Sequence, residues 1–162
     1  MSEQVNLIIA GVGNRYRTDD AVGLRLAEEC PRGGAELVAV ELWEDFDGAA
    51  VAQRLVELAC PVLIVDCADL GLGGGAYRLL DGRDVDDIPA RSVVSTHGIG
   101  LAEGVQLAAA LGYAQPLWVF GVQPFAIGMG EELSPAMTAV LPALRQGLAE
   151  VVAELIRQRV AG

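Results

Sequence analysis

The chain has few of the residues on which several common kinds of site depend. It carries 11 basic residues against 22 acidic ones, a formal net charge of −11, and a single histidine. Binding to nucleic acid requires clustered Lys and Arg that neutralise phosphates, so we expect no nucleic-acid partner. No serine lies in a Gly-x-Ser-x-Gly segment, so a serine triad on a nucleophile elbow is not indicated either.

Cysteines and long apolar runs are also scarce. The three cysteines, Cys30, Cys60 and Cys67, include no C-x-x-C pair, which argues against a disulfide framework and against a zinc ribbon. Cys67 directly follows Asp66, but no second histidine is present to serve as its base, so a packing role is favoured. The N-terminal apolar stretch LIIA is far too short to span a membrane and no charged leader precedes it. We therefore expect a cytosolic protein with no membrane partner.

The residues that are present suffice for one folded domain. The chain has 162 residues, of which 52% are hydrophobic and 5% aromatic. That length falls within the usual range of a single domain, and the apolar fraction argues against disorder. We expect one α/β domain over residues 1–162, with a core built mainly from Ala, Val, Leu and Ile.

Apolar runs typical of buried strands alternate with amphipathic helical patterns. The strands are predicted at Val5–Ala10, Ala35–Leu42, Val62–Val65, Ala76–Leu80 and Leu117–Gly121. The helices are predicted at 21–30, 47–59, 101–111 and from Pro135 towards Val160, the last bent at Pro142. This alternation predicts an open, mostly parallel twisted sheet of about five strands with helices on both faces. The short strand Ala76–Leu80, after a glycine-rich loop, is expected to be antiparallel at an edge.

Three segments far apart in the chain each offer one strong metal ligand: Asp20, Asp66 and His97. One imidazole with carboxylates is a ligand set that can hold a borderline divalent transition ion. For a strand order of 2-1-3, the ligand crevice of such a sheet lies between the carboxyl ends of strands one and three. Asp20 follows strand one and Asp66 ends strand three, so topology places both near one crevice. His97 joins them if the irregular segment before it approaches the same edge.

Each of these residues has a structural alternative. An Asp at a helix N-terminus can cap free N–H groups, and we expect Asp19 to take that role while Asp20 faces the crevice. Asp66 can instead bond backbone N–H groups of the next turn, and His97 can be a surface residue. The segment Gly11-Val12-Gly13 with Glu41 at the expected end of strand two resembles a dinucleotide fingerprint. Tyr16 at the third glycine position and the acidic start of the helix argue against it.

Four segments, taken together and in order, resemble those of the hydrogenase maturation endopeptidases, which trim the C-terminus of nickel-iron hydrogenase large subunits. They are GVGNRYRTDDAVGLRLAE, LIVDCADLGLGGGAYRL, STHGIGLAEGVQLAAALG and LWVFGVQPFAIGMGEELSP. The resemblance implies that the metal-binding positions of that family fall on Asp20, Asp66 and His97, with Asp20 and Asp66 as candidate catalytic carboxylates. It also implies no permanent cofactor, because the ion to be recognised is the nickel of the substrate precursor.

One segment departs from the family pattern. Many members carry a glycine-rich Asp-Gly-Gly-Thr type loop after strand two, where this chain has Glu41-Leu42-Trp43-Glu44-Asp45-Phe46-Asp47. We align Glu41 with the Asp that ends that strand in the family. The aromatic and acidic residues of this loop suggest that it selects the partner subunit, with Trp43 as an exposed anchor.

The resemblance implies an endopeptidase that removes the C-terminal extension of a nickel-loaded large-subunit precursor. Two other classes stay open on the sequence alone. A nucleotide-dependent oxidoreductase would bind a dinucleotide or flavin, and a non-catalytic nickel-centre chaperone would bind the precursor without shortening it.

Overall fold

The computed structural model of the protein describes residues 7–30, 38–82 and 100–161. Within these ranges the strands are β1 (Leu7–Gly13), β2 (Val38–Glu44), β3 (Val62–Cys67), β4 (Tyr77–Asp81) and β5 (Leu117–Val122). The helices are a 3-10 helix (Thr18–Ala21), α1 (Val22–Glu28), α2 (Gly48–Leu58), α3 (Leu101–Ala110) and α4 (Pro135–Ala161). None of the helices in these ranges combines the length and the apolar character that crossing a lipid bilayer requires.

The five strands form one sheet in the order β2-β1-β3-β5-β4. The first four strands in that order are parallel, and β4 pairs with β5 in the antiparallel direction at the edge. The predicted sheet is therefore confirmed, including the 2-1-3 order and the antiparallel edge strand. Strand order reverses between β1 and β3, so the crevice expected of such a sheet lies at their carboxyl ends.

Helices cover both faces of the sheet, as predicted. One buried cluster packs α2 and α3 against one face, through residues such as Val51, Leu55 and Val105. A second cluster packs α1 and α4 against the other face, through residues such as Leu26 and Leu144. Alternate residues of a strand point to opposite faces, so β1 contributes to both clusters.

Several strand boundaries differ from the sequence prediction, and two of these differences are linked. β1 continues beyond Ala10 to Gly13, and β2 continues beyond Leu42 to Glu44. The two extensions pair with each other, from Gly11 with Leu42 to Gly13 with Glu44. Glycine weakens the sequence signal of a strand, but backbone pairing with a neighbour keeps these residues extended. The predicted residues 5–6 and 35–37 lie outside the described ranges.

Candidate active site

Gly11 and Gly23 allow α1 to lie unusually close to the sheet. A Cβ atom on Gly23 would lie 2.3 Å from the carbonyl oxygen of Val65 and 2.6 Å from that of Val12. A Cβ on Gly11 would lie 2.7 Å from the Cβ of Ala27. These contacts seat the start of α1 across the boundary between β1 and β3. The 3-10 helix that carries Asp20 is thereby held over the carboxyl end of β3.

Asp20 and Asp66 meet at this crevice. Asp20 lies in the 3-10 helix after β1, and Asp66 is the second-to-last residue of β3, paired with Gly121 of β5. Both side chains are completely buried, with 0% exposure. Within the described ranges, none of their four carboxylate oxygens accepts a hydrogen bond of normal geometry, although the backbone amides of Asn14 and Cys67 lie close enough to act on them. Unpaired buried carboxylates are costly, so this pair is either protonated or available to a cation that is not part of the chain.

The pKa values of both carboxyls are raised. Burial raises the pKa of Asp20 to about 6, against a smaller lowering by the nearby Arg17 guanidinium and the Asn14 backbone amide. Burial and the neighbouring Asp20 charge raise the pKa of Asp66 well above its usual range, while the Cys67 backbone amide lowers it slightly. Two carboxyls in one buried crevice resist carrying two negative charges, so the pair holds its protons more tightly than free carboxyls do unless a cation binds.

Two neighbours of Asp20 were not predicted from the sequence. Asp45 follows β2, adopts a left-handed conformation with φ of 58° and donates its backbone N–H to Gly13 O at 3.0 Å. Its charge raises the pKa of Asp20, and that of Arg17 lowers it. The sequence offered one indication of this turn at Asp45, because an Asp at a strand end adopts a left-handed conformation more readily than most residues do.

The third predicted ligand, His97, lies outside the described residues, so its position remains a prediction. Within the described part of the chain, no group of three His, Cys, Asp or Glu side chains is arranged to hold a metal ion. Cys67 does not supply a reactive thiolate, since burial and the charge of Asp66 raise the pKa of its thiol. The packing role predicted for Cys67 agrees with its complete burial.

The predicted role of Asp19 is wrong. Its side chain makes no capping bond to the 3-10 helix or to α1. Instead its carboxylate accepts hydrogen bonds from the backbone N–H groups of Phe125, Ala126 and Ser134 at 2.7–2.9 Å, and from Ser134 Oγ at 2.9 Å. Asp19 therefore fastens the loop between β5 and α4 to the segment that carries Asp20. The donors come from residues more than 100 positions away, which a reading of local capping rules does not reveal.

The predicted roles of Glu41 and Trp43 are also wrong. Glu41 lies in the middle of β2, level with Ala10, and not at the end of the strand. Its carboxylate pairs with Arg54 at 2.6 Å and accepts the indole N–H of Trp43 at 2.9 Å. Trp43 is 1% exposed and lies in the core, where the half-buried Phe46 stacks on it. β2 runs through Glu44 and so occupies most of the segment Glu41–Asp47 that the sequence predicted as a loop. The carboxylates of that segment that lie near the crevice are therefore Glu44 and Asp45.

The geometry also disfavours a dinucleotide site at the glycine motif. A Cβ on Gly13 would lie 2.2 Å from the carbonyl oxygen of Asp20. The chain itself therefore fills the space beside the glycine where a phosphate would approach. The two Asp side chains at the start of the helical segment add negative charge there.

Comparison with known proteins agrees with this fold. A family model described as hydrogenase maturation protease matches residues 35–151. HupD, a hydrogenase expression/formation protein of Thiocapsa roseopersicina, is 26% identical over 151 residues, covering 91% of this chain and 68% of the relative. HoxM of Azotobacter vinelandii is 29% identical over 153 residues, covering 92% and 73%. The hydrogenase 3 maturation protease of Escherichia coli K12 is 32% identical over 102 residues, 58% of each chain.

Solved structures share the architecture. The solution structure of an endopeptidase from Escherichia coli superposes with a TM-score of 0.73 at 24% identity, covering 90% of this chain and 91% of that one. The hydrogenase maturating endopeptidase HybD from E. coli gives a TM-score of 0.68 at 23% identity, covering 93% and 94%. The family model spans most of the chain. The protein therefore belongs to the hydrogenase maturation protease family and is a hydrolase of the endopeptidase type.

Proposed function

We propose that this protease removes the C-terminal extension of a nickel-iron hydrogenase large-subunit precursor and acts only when nickel is already bound there. The observation that carries the proposal is the pair Asp20 and Asp66, buried and with four carboxylate oxygens unpartnered within the described ranges. Two such carboxylates need either protons or a cation. A divalent ion carried by the substrate would supply the missing charge, and no resident cofactor is then required.

The position of α3 supports His97 as the third ligand. His97 lies three residues before Gly100, the N-cap of α3, and three residues span at most about 11 Å. The first turn of α3 is tightly packed on the start of α2, because a Cβ on Gly104 would lie 2.4 Å from Gly48 O. Since α2 begins just after the carboxyl end of β2, the first turn of α3 is held at the same edge of the sheet as Asp20.

The direction of the Asp66 side chain also supports His97 as the third ligand. In β3 it shares its face with Val62 and Ile64, which pack in the cluster formed by α2 and α3. Asp66 thus lies on the side of the sheet that α3 covers. A ligand arriving before α3 would complete a nitrogen and oxygen set suited to a borderline ion such as nickel.

The same carboxyls can serve in hydrolysis. A bound cation stabilises charge that develops on the scissile carbonyl and favours the ionised form of nearby acids. A carboxylate with a pKa near 6 can take a proton from the attacking water and return it to the leaving amine. We assign this proton transfer to the pair of Asp20 and Asp66 together and not to either carboxyl alone.

The decisive experiment incubates the protein with two forms of one large-subunit precursor, nickel-loaded and nickel-free, and measures the subunit mass. We expect a mass loss at the C-terminus only with the loaded form. Asp20→Asn, Asp66→Asn and His97→Ala should each abolish the loss, while the isosteric control Glu150→Gln should not. Glu150 is an exposed acid in the middle of α4. Binding without mass loss would favour the chaperone alternative, and full activity of His97→Ala would overturn the ligand assignment.

The cytosolic location belongs to the same proposal. Cys30 and Cys67 are free thiols, as expected in a reducing compartment. The location can be tested by breaking cells, removing the envelope and assaying the remaining fraction for cleavage of the precursor.

A further inference from the structure

Four large apolar side chains are exposed on the loops around the crevice. These loops are 14–17 after β1, 68–76 between β3 and β4, and 123–134 between β5 and α4. The exposed side chains, called the apolar platform below, are Tyr16, Leu72, Phe125 and Met129, of which Tyr16 is 62% and Met129 94% exposed. All three loops leave the sheet at the edge where Asp20 and Asp66 meet.

The three loops are held together by hydrogen bonds. Gly130 N donates to Tyr16 O at 3.0 Å, and Thr18 N donates to Gly130 O at 3.1 Å, so Tyr16 and Met129 lie on adjacent backbone. Gly75 N donates to Gln123 O at 2.8 Å, and Leu70 N donates to Gln123 Oε1 at 2.6 Å. The loop that carries Leu72 is thereby joined to the loop that carries Phe125 and Met129.

The position of the Phe125 ring is set by glycines. A Cβ on Gly74 would lie 2.4 Å from the Phe125 ring, and one on Gly75 would lie 2.9 Å from it. Gly75 also has a φ of 81°, which side chains rarely tolerate. On its other side, the Phe125 backbone N–H is held by Asp19 at 2.9 Å. The ring is therefore presented by a fixed backbone.

We propose that the apolar platform binds the segment of the large-subunit precursor that borders the scissile bond, and that this segment is apolar with basic residues beside it. The inference rests on the proposed function, because the platform surrounds the carboxyl pair assigned to hydrolysis. Single exposed apolar residues are common on protein surfaces. Four of them on three hydrogen-bonded loops beside the crevice of Asp20 and Asp66 form a preorganised surface for a peptide. Because the loops are already held in place, binding of the peptide costs the enzyme little conformational entropy.

The charge around the platform selects the kind of peptide. Asp69, Glu131 and Glu132 lie on the same loops, and the whole chain carries a net charge of −11. Of the two cations of the first loop, Arg15 is paired with Glu28 and Glu44, and the charge of Arg17 acts on Asp20. The rim therefore has an excess of negative charge, which attracts basic residues and accelerates their approach at low salt.

The test compares the wild type with the double variant Tyr16→Ser/Met129→Ser, using the nickel-loaded large-subunit precursor of the same organism. Both side chains are exposed, so melting temperature should stay within about 2 °C of wild type. We expect KM and the Kd of the precursor to rise about tenfold while kcat changes less than about threefold. The matched control Leu111→Ser removes an exposed apolar side chain at the far end of α3 and should leave all three values unchanged.

A second arm tests the charge of the peptide. Glu131→Gln/Glu132→Gln should weaken precursor binding at low salt and make it less dependent on salt concentration. Glu150→Gln, an exposed acid on α4, is its control. Unchanged or tighter binding in the Glu131→Gln/Glu132→Gln variant would overturn the basic character of the segment.

The outcomes separate the two proposals. If the wild type cleaves the precursor and Tyr16→Ser/Met129→Ser shows wild-type KM and Kd, the platform is overturned and the proposed function stands. If the wild type binds the precursor without cleaving it, the proposed function fails and the Kd comparison still decides the platform. A wild type that neither binds nor cleaves this precursor overturns both.

Discussion

Asp19 and Asp20 are adjacent in the chain and equally buried, yet only Asp19 has hydrogen-bond partners for its carboxylate within the described ranges. Asp19 accepts four hydrogen bonds from the loop between β5 and α4 and its N-cap Ser134. Asp20 faces the crevice with Asp66. One residue of the pair thus stabilises the framework, and the other is left available for chemistry.

We predict that Asp19→Asn destabilises the protein by about 2–4 kcal/mol. The amide NH2 would face backbone donors that Asp19 now accepts, leaving buried N–H groups unpaired and removing charge-assisted bonds. Chemical unfolding measures the change. The matched control is Asp47→Asn, because Asp47 caps α2 through a bond from Ala50 N and Asn caps nearly as well. Equal, small effects of the two substitutions would show that the Asp19 network contributes little.

We predict that Asp20→Asn stabilises the metal-free protein at pH 7.5 by about 1–3 kcal/mol. Burial raises the pKa of Asp20 from 3.8 to about 6 in the folded chain, so the folded state holds the proton more tightly. This group therefore contributes least stability above pH 6 and progressively more as pH falls towards 4. Unfolding free energies of both proteins, measured with chelator from pH 7.5 to 4, should converge at the acid end. A gap that does not change with pH contradicts the prediction.

We predict that Trp43→Ala lowers stability by about 3–5 kcal/mol, the usual cost of removing a large aromatic side chain from a core. Trp43 is fully buried and its indole N–H bonds Glu41. This replaces the sequence-based expectation of an exposed specificity anchor with little effect on melting. Its stacking partner Phe46 is only half-buried, so Phe46→Ala should cost less. Thermal melts of the two variants decide the matter, and a wild-type melting temperature for Trp43→Ala would restore the earlier expectation.

We predict that Gly23→Ala costs about 3 kcal/mol, because the added methyl would overlap carbonyl oxygens of both β1 and β3. Relief of that overlap requires α1 to move off the sheet and to carry the Asp20 segment with it. Precursor cleavage should therefore fall even at temperatures where the variant remains folded by circular dichroism. Gly73→Ala is the control, since a Cβ there meets no atom within 4 Å. Normal cleavage by a folded Gly23→Ala variant would show that this close approach does not position Asp20.

Much of the fold was predictable from local pattern. Continuous apolar runs marked strands buried on both faces, and the helical stripes between them required a parallel sheet covered on both sides. The order 2-1-3 then placed Asp20 and Asp66 at one edge from the sequence pattern alone. The errors occurred where tertiary contacts outweigh local signals. β2 extends through Glu44 because Gly11–Gly13 pair with it, and that extension moved Glu41 into the middle of a strand.

The sequence by itself determined the fold class, the family resemblance and the placement of Asp20 and Asp66 at the switch point, because these depend on periodicity and strand order. The position of His97 stays a prediction. Only the tertiary structure decided which acid of the Asp19-Asp20 pair is bonded and which is bare, since the donors to Asp19 come from the loop at 125–134. It also decided that Trp43 is core and that Tyr16 and Met129 share one surface. Such outcomes depend on contacts between segments distant in the chain, which no local pattern encodes.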